Sequence, residues 1–327
     1  RNDEGKKIYQ DLVKNADVVV ENLRPGSVDK LGLGYHDLKA LNPKLIYAAI
    51  SGFGRLEGYE GPDSKRPAFD IVAEAMSGIM HLVGFDDKPP SWTIYGMADV
   101  YTGLCTSFAI TQALFMRERT GKGQFVDSAM LDNMISLNER MAMLYSITGK
   151  EPHRGRLTHL YPRGAFKCMD GYLAMNIPDD LVWGRFCKAI GHEGLMDDDR
   201  SKTGTARASN AEFLAPIIEE WLSQKTRSEA ENILNENGVP VGSVYTAKDV
   251  FESEQVKSRK ALVDIDDPDV GTYQFARGPV MLSDSPEIET NPAPGLGQHT
   301  MNILSKVLQY SDEKIDKLAE SGTIGIN

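Results

Sequence analysis

The chain has 327 residues and a formal net charge of −11, from 36 Lys and Arg against 47 Asp and Glu. This length suggests about two domains, and a composition of 41% hydrophobic and 25% charged residues excludes a disordered or collagen-like chain. The acidic balance argues against a nucleic-acid-binding function, which needs a basic surface. No apolar run approaches the roughly 20 residues of a membrane-spanning helix, so we expect no membrane partner.

Cysteine and histidine spacing argues against a disulfide framework or a metal site. The three Cys are far apart and form no CxxC pair, and the six His form no HxxxH or HExxH pattern. We therefore predict a reducing compartment, either the cytoplasm or, in a eukaryote, the mitochondrion, and no bound metal.

The first part of the chain alternates helical patterns with short apolar runs. Strands are predicted at Val18–Val20, Leu45–Ile50 and Gln124–Asp127. A helix is predicted between the first two strands, at Tyr35–Leu41. This order predicts a parallel sheet with crossover helices. Ligands of such sheets lie beyond the carboxyl ends of the strands, so Asn22–Gly26 and Ser51–Gly54 are expected at the binding edge.

Longer helical patterns follow, and then the texture of the sequence changes. Helices are predicted at Ile71–Leu82, Val100–Arg117 and Met130–Ile147. After a polar, basic stretch, two Ser-x-x-Glu patterns beginning at Ser209 and Ser228 predict capping boxes at helix starts. Short strands are predicted at Tyr172–Met175 and Val241–Tyr245, so we predict a smaller α+β domain here.

Asp99 stands where a loop enters an apolar helix. An aspartate there is typical of an N-cap, which accepts amide hydrogen bonds and is favoured by the helix dipole. The same position suits a nucleophilic carboxylate, which the helix end keeps ionised and which nearby backbone N–H groups could assist by binding an oxyanion. The pattern alone leaves both interpretations open. No GxSxG, GxGxxG or Walker A motif offers another catalytic centre.

Five motifs together identify a resemblance. In chain order they are ADVVVENLRPG at Ala16–Gly26, NPKLIY at Asn42–Tyr47, ISGFG at Ile50–Gly54, GMAD at Gly96–Asp99 and RTGKGQ at Arg119–Gln124. They resemble the class III CoA-transferase superfamily, which includes formyl-CoA transferase, carnitine CoA-transferase and the α-methylacyl-CoA racemases. The resemblance spans nearly the whole chain, as far as Asn237–Pro240.

The resemblance implies an α/β fold with a Rossmann-like large domain and a smaller α+β domain, in a homodimer of two chains threaded as interlocked rings. Residues 1–148 then form the large, CoA-binding domain and residues 149–165 a linker. Residues 166–265 form the small domain, and residues 266–327 a linker that returns to the large domain. The partners implied are an acyl-CoA and a carboxylic acid, with no cofactor beyond coenzyme A as substrate.

The catalytic aspartate of the family matches Asp99. By this resemblance its carboxylate attacks the donor thioester, giving a mixed anhydride and free CoA thiolate. The thiolate then converts the aspartyl group into a CoA thioester, and the acceptor carboxylate takes over CoA through a second anhydride.

Candidate CoA contacts lie in the first motif and just after it. Asn22, Leu23 and Lys30 match family contacts to CoA, and Arg24 adds a positive charge beside them. Because CoA is a polyanion, an acidic protein must concentrate cations locally. Further basic residues expected at or near the binding edge are Lys44, Arg55, Lys65 and Arg66.

The family's first strand–helix unit, which contributes part of the CoA site, has no counterpart in this sequence. The chain opens at Arg1, already inside a helical pattern and without Met. We therefore expect that an N-terminal segment is missing from it.

An acyl-CoA racemase of the same fold is the main alternative. Racemases of this family share a Gly-His-Asp element whose His moves an α-proton together with the motif aspartate. The matching stretch here ends in Phe69-Asp70, and Phe69 cannot carry a proton, which favours a transferase. Phe69 and Asp70 are also expected to line the substrate site. Asp70 is further expected either to support Asp99 or to cap the helix that follows it. A non-catalytic partner subunit is a further alternative, against which the presence of Asp99 counts.

A basic cluster near the start of the small domain bears on the substrate. It contains Arg154, Arg156, His159 and Arg163. Guanidinium groups bind carboxylates through paired hydrogen bonds, so the cluster predicts a dicarboxylic acid such as succinate, mesaconate or itaconate as donor or acceptor. Binding of CoA phosphates and salt bridges between subunits remain open alternatives for the same residues.

Overall fold

The structure is a computed structural model that describes residues 2–154, 160–286 and 290–325. The chain divides into two compact units, one of Arg1–Gly155 with Pro294–Asn327 and the other of Arg156–Ala293. We call them unit 1 and unit 2, and each contains its own sheet.

Unit 1 begins with alternating helices and strands. In chain order they are α1 (Asp3–Val13), β1 (Val18–Glu21), α2 (Tyr35–Leu41), β2 (Ile46–Ser51), α3 (Asp70–Met76), α4 (Ile79–Leu82), α5 (Met97–Thr120), β3 (Phe125–Ala129), α6 (Met130–Leu137) and α7 (Glu139–Thr148). The three strands are parallel in the order β1-β2-β3, as their apolar runs predict.

Helices cover both faces of this sheet. Successive strand residues point to opposite faces. Tyr47 and Ala49 therefore pack in a cluster with Val13 of α1 and Leu38 of α2, while Ile46 packs on the other face beside α5. Burial on both faces explains why the central strand β2 is a nearly continuous apolar run rather than an alternating one.

Gly123, in the RTGKGQ motif, stands where the chain enters β3. A Cβ at this position would lie 1.9 Å from the carbonyl oxygen of Leu45, so only glycine lets the two backbones approach. The Gly123 N–H donates to the Pro43 carbonyl at 2.9 Å. The motif thereby fixes β3 beside β2.

Two helices that the apolar periodicity predicts as single are interrupted. The pattern at Met130–Ile147 divides at Asn138 into α6 and α7. The pattern at Ile71–Leu82 divides at Gly78, whose φ of 83° is left-handed. Apolar spacing continues across both breaks, and this is why the sequence did not reveal them.

Unit 2 is an α+β unit with antiparallel strands. Its elements are β4 (Arg163–Cys168), β5 (Gly171–Asn176), α8 (Asp180–Ala189), α9 (Gly204–Ser209), α10 (Ala211–Ser223), α11 (Arg227–Glu236), β6 (Val241–Ser243), α12 (Ala247–Glu252), α13 (Glu254–Ser258), β7 (Leu262–Asp267) and β8 (Gly271–Ala276). The sheet order is β4-β5-β6, and β7 and β8 form a separate hairpin. Its core is built on Trp183, Phe186, Leu214 and Ile218.

Neither predicted capping box in unit 2 is correct. Ser209 ends α9, and Asn210 precedes α10 without a side-chain cap. Ser228 lies inside α11. The capping box of this helix is formed by Thr226 and Glu229, two residues before the predicted pair Ser228 and Glu231. The Thr226-x-x-Glu229 segment spells the same pattern, and Glu231 instead accepts hydrogen bonds from Ser243 of β6.

The last described elements belong to unit 1. They are α14 (Thr300–Asn302), a π-helical turn at Ile303–Val307 and α15 (Asp312–Glu320). The Tyr310 hydroxyl donates to the Asp11 carboxylate at 2.7 Å, which attaches this end to α1. Over the described ranges, every helix falls short of the length and apolar character needed to cross a membrane.

Candidate active site

Asp99 lies in the first turn of α5, three residues after Gly96, which precedes the helix. Gly96 has a left-handed φ of 79°, a conformation that glycine adopts without a steric penalty. The Asp99 side chain is exposed, and no described residue donates a hydrogen bond to its carboxylate. Gly96 is therefore the N-cap position, and Asp99 is free of the capping role considered for it.

Asp70 supplies the cap instead, from a different helix. Its Oδ1 accepts hydrogen bonds from the Ala98 N–H at 2.6 Å and from the Asp99 N–H at 3.3 Å. Two roles were expected for Asp70, support of Asp99 and capping of α3. The hydrogen bonds to the start of α5 correspond to the first role, and α3 itself begins after Phe69 with no side-chain cap. Asp70 thus holds the backbone of Asp99 and leaves its carboxylate unbound.

This cap has a consequence for oxyanion binding. The N–H groups of Ala98 and Asp99 are taken by Asp70, and the Met97 N–H donates to the Ile94 carbonyl at 3.3 Å. The expectation that amides of this turn assist the chemistry is therefore wrong for these three groups.

The pKa of the Asp99 carboxyl is not lowered, although the helix end was expected to keep this group ionised. Partial burial, and then the negative charge of Asp70, raise the pKa of the Asp99 carboxyl above its ordinary value. The helix end alone would lower that pKa. The ionised form of the Asp99 carboxyl is therefore less favoured than that of a freely solvated aspartate.

Phe69 is 80% exposed at the start of α3, next to the capping residue. Its phenyl ring has no group that exchanges a proton. The position at which the racemases of the family have their His therefore contributes apolar surface only.

Arg154 is engaged by backbone groups of unit 1. Its Nε donates to the His81 carbonyl at 2.8 Å and its Nη1 to the Lys88 carbonyl at 2.5 Å. These carbonyls flank the beginning of the loop that leads from α4 to α5. Arg154 therefore clamps this loop, and fewer of its N–H groups remain for a substrate than the sequence predicts.

The basic cluster has three other members, Arg156, His159 and Arg163. Arg156 and His159 lie outside the described residues. Arg163 is the first residue of β4 in unit 2, where it is exposed and has no described hydrogen-bond or ion-pair partner. Its guanidinium remains available for an anion.

A cavity of about 840 Å³ opens beside the loop that follows β1. Arg24 and Lys30, two of the predicted CoA contacts, line it. Asn22 and Leu23 are exposed residues of the same loop, immediately before Arg24. Lys65 adds a third exposed cation to the lining.

Three aromatic rings form one wall of this cavity. The Tyr35 ring lies 5.2 Å from Phe125 and 5.9 Å from Tyr47, and Tyr47 stacks with Phe125 at 5.8 Å. Cations beside an aromatic wall can bind phosphates together with an apolar or planar group.

Arg55 also lines the cavity, but its charge is compensated. Its guanidinium pairs with Glu21 and lies 3.7 Å from Asp29. The backbone N–H groups of Arg55 and Leu56 donate to the Asp127 carboxylate, both at 2.9 Å. Glu21 also accepts from the Leu23 N–H at 2.8 Å, so this network shapes the loop that carries the predicted CoA contacts.

The sequence analysis missed this network, although Glu21 and Asp127 are visible as the charged residues of two apolar strands. It also placed one basic residue wrongly. Lys44 precedes β2 and therefore lies at the opposite edge of the sheet, beside Asp17 and Arg117. Arg66 lies over the ring of Phe53, at 5.4 Å, which is at the predicted edge, although it does not line the cavity.

Comparison with known proteins identifies the family. The model of CoA-transferase family III matches residues 1–300, so the chain belongs to this family and is a class III CoA-transferase. It is 34% identical to succinyl-CoA:glutarate CoA-transferase of Mus musculus over 322 residues, which cover 98% of this chain and 73% of that protein. It is 33% identical to succinyl-CoA:mesaconate CoA-transferase of Haloarcula marismortui, over 93% of this chain and 77% of that one.

A solved structure shows the same mixed α/β fold. The crystal structure of a CaiB/BaiF family protein from Brucella suis superposes with a TM-score of 0.82 at 36% identity, covering 94% of this chain and 79% of that one. The family resemblance drawn from the five motifs is thereby confirmed.

Proposed function

We propose that this enzyme transfers CoA from an acyl-CoA thioester to a free dicarboxylic acid, with Asp99 as the covalent nucleophile. The observation that carries the proposal is the exposed, unbound carboxylate of Asp99 above a backbone fixed by Asp70. Because no described residue donates a hydrogen bond to this carboxylate, no such bond has to break before the carboxylate attacks a thioester.

The reaction proceeds through alternating anhydrides and thioesters. The ionised Asp99 attacks the donor thioester carbonyl, and CoA thiolate leaves as a mixed anhydride forms. The thiolate attacks the aspartyl carbonyl of this anhydride, which releases the donor acid and leaves an aspartyl-CoA thioester. The acceptor carboxylate attacks that thioester, and the thiolate finally attacks the acceptor carbonyl of the second anhydride, which regenerates Asp99. Coenzyme A is a substrate here, and the sequence of steps requires no further cofactor.

CoA is proposed to bind along the loop after β1. Asn22, Leu23, Arg24 and Lys30 contact it, and the cavity beside them offers three exposed cations with an aromatic wall. Lys30 and Arg24 compensate phosphate charge, which an acidic protein must do locally. Arg24, Lys30 and Lys65 form no ion pair with a described residue, so their charges remain for the ligand, although the carboxylates of Asp29, Glu57 and Glu60 also line the cavity.

A dicarboxylic acid is the proposed acceptor class. The two enzymes compared above are named for transfer from succinyl-CoA to glutarate and to mesaconate, both dicarboxylates. One carboxylate must remain free to attack, so the second is available for recognition. We assign this recognition to Arg163, with His159 four residues before it in the sequence.

A racemase is the less favoured activity for this chain. Racemisation moves a proton from one face of the α-carbon and returns it to the other, which needs two acid–base groups. Phe69 occupies the position of one of them. The neighbouring Asp70 is engaged with the amides of α5 and is not free to replace it.

A homodimer of interlocked rings is proposed as the assembly. Large apolar side chains are exposed along α5 and α7, among them Val100 (74%), Phe108 (64%) and Ile147 (74%). Apolar surface of this extent is typical of an interface. In this assembly residues 1–148 form the large domain, residues 149–165 a linker and residues 166–265 the small domain. Residues 266–327 form a linker that returns to the large domain, and unit 1 resumes at Pro294.

The test is the exchange rate of Asp99→Asn, measured as CoA transfer from succinyl-CoA to a panel of dicarboxylic acids. We expect loss of turnover with a retained fold. Asp132→Asn is the matched control, because Asp132 is likewise an exposed aspartate in the first turn of a helix, α6, with a pKa raised by burial. Turnover by Asp99→Asn close to that of the control would overturn the assignment.

A further inference from the structure

Glu74 is a fully buried carboxylate without a cationic partner. It lies on α3 with no exposed surface, and no Lys, Arg or His of the described ranges forms an ion pair with it. Taking a carboxylate out of water is costly unless it is hydrogen-bonded. Such a group is therefore expected to have a specific task.

Both oxygens of Glu74 bind one residue, Thr93. Oε2 accepts from the Thr93 backbone N–H at 2.9 Å, and Oε1 accepts from the Thr93 hydroxyl at 2.8 Å. Binding the backbone and the side chain of the same residue fixes the orientation of the chain at Thr93 as well as its position.

Thr93 lies in the loop that delivers the nucleophile. It stands three residues before Gly96 and six before Asp99. Between them the Met97 N–H donates to the Ile94 carbonyl, so the chain from Thr93 to α5 is a compact turn. A displacement of Thr93 is therefore transmitted to the start of α5.

The segment that runs from Thr93 to Asp99 is bound at both ends by α3. Asp70 and Glu74 are four residues apart, which places them on the same side of the helix. Asp70 binds the amides of Ala98 and Asp99, and Glu74 binds Thr93. The core beneath this contact, with Ala73 of α3 against Ala98 of α5, keeps α3 itself in place.

We infer that Glu74 is a positioning residue for Asp99, which acts by fixing the loop at Thr93. The inference rests on the proposed role of Asp99 and extends it to a residue that touches neither substrate nor the reacting atoms. Reactions of bound groups depend steeply on geometry, since a misplacement of about 1 Å can cost about 100-fold in rate. Loosening this loop therefore lowers the rate of the chemical step more than it lowers substrate binding.

The test is a set of substitutions at Thr93, where the side chain can be changed without leaving a large cavity. Thr93→Val keeps the shape and the backbone N–H but removes the hydroxyl, whereas Thr93→Ser keeps both donors. We expect Thr93→Val to lower kcat about tenfold or more, with KM for the CoA ester within about twofold of wild type. Thr93→Ser should retain most of the wild-type kcat, and Glu74→Gln should change kcat in the same direction as Thr93→Val.

Unit 2 offers a matched control. Glu231 likewise accepts from both the N–H and the hydroxyl of one residue, Ser243. Ser243→Ala removes a comparable carboxylate–hydroxyl hydrogen bond, so it reproduces the loss of stability while both hydrogen bonds of Thr93 stay in place. The inference predicts that kcat of Ser243→Ala stays within about twofold of wild type.

Two results would overturn the inference. One is a kcat of Thr93→Val within twofold of wild type, and the other is an equal loss of kcat in Ser243→Ala. Asp99→Asn is measured in the same series. If Asp99→Asn retains turnover, the nucleophile assignment fails, whereas an inactive Asp99→Asn together with an unaffected Thr93→Val refutes only the role of Glu74.

Discussion

Replacing Asp70 separates the structural and the electrostatic contributions to the site. Asp70→Ala removes the acceptor of two N–H groups, at 2.6 and 3.3 Å, and also removes a charge. Asp70→Asn keeps an acceptor oxygen and removes the charge alone. Since loss of a helix cap costs about 0.5–2 kcal/mol, we expect Asp70→Ala to lose about that much free energy of unfolding and Asp70→Asn to lose less.

The charge effect is read from the pH dependence of kcat. Burial raises the pKa of Asp99 first, and the negative charge of Asp70 raises it further. Both substitutions remove the second cause, so the pKa of Asp99 falls and the acidic limb of the kcat profile moves to lower pH. Asp132→Asn should leave this limb in place.

The raised pKa of Asp99 also makes the free energy of unfolding depend on pH. A carboxyl whose pKa is raised on folding binds its proton more tightly in the native state, so it destabilises the fold increasingly as the pH rises through that pKa. Asp99→Asn is therefore expected to be more stable than wild type at neutral pH, with the difference vanishing in acid. An acidic limb that coincides in Asp70→Asn and wild type would refute the electrostatic reasoning, and an unchanged unfolding free energy of Asp70→Ala would refute the cap.

Three further outcomes are expected. Glu21→Gln removes the paired charge of the mostly buried Arg55 and leaves the more distant charges of Asp29, at 3.7 Å, and Asp127, so it should cost about 3 kcal/mol in a denaturant titration, against little for a change at an exposed pair such as Lys257–Glu254. Arg163→Gln should raise KM for the free dicarboxylic acid far more than KM for the CoA ester, and equal effects on both would count against acid recognition there. Sedimentation should show a dimer even at nanomolar concentration, because threaded chains separate only by unfolding, and a readily dissociating monomer contradicts the interlocked assembly.

Local sequence signals predicted the parallel sheet well. Val18, Val19 and the stretch Leu45–Ala49 are apolar because helices cover both faces of their sheet, and that burial is visible in composition. The helix breaks at Gly78 and Asn138 were not predictable, since the apolar spacing runs through them. A helical pattern reports which face is buried, and it does not report whether the helix axis continues.

The site was predictable only at the level of single motifs. GMAD indicated Asp99, but which group caps α5 depends on α3, a helix that begins 27 residues earlier in the chain. The same holds for Arg154, whose partners are carbonyls of His81 and Lys88. Side chains that bind distant backbone groups leave no pattern in local sequence, because any exposed backbone group can be the partner.

Detection of the covalent intermediate tests the central proposal most directly. The enzyme is incubated with succinyl-CoA without an acceptor acid, quenched, and analysed by intact-mass and peptide mass spectrometry, with hydroxylamine trapping in parallel. The account predicts one CoA adduct or hydroxamate per chain, located at Asp99, retained in Asp132→Asn and absent in Asp99→Asn. Turnover without any adduct, or an adduct on a different carboxylate, would contradict the assignment of Asp99 as the nucleophile.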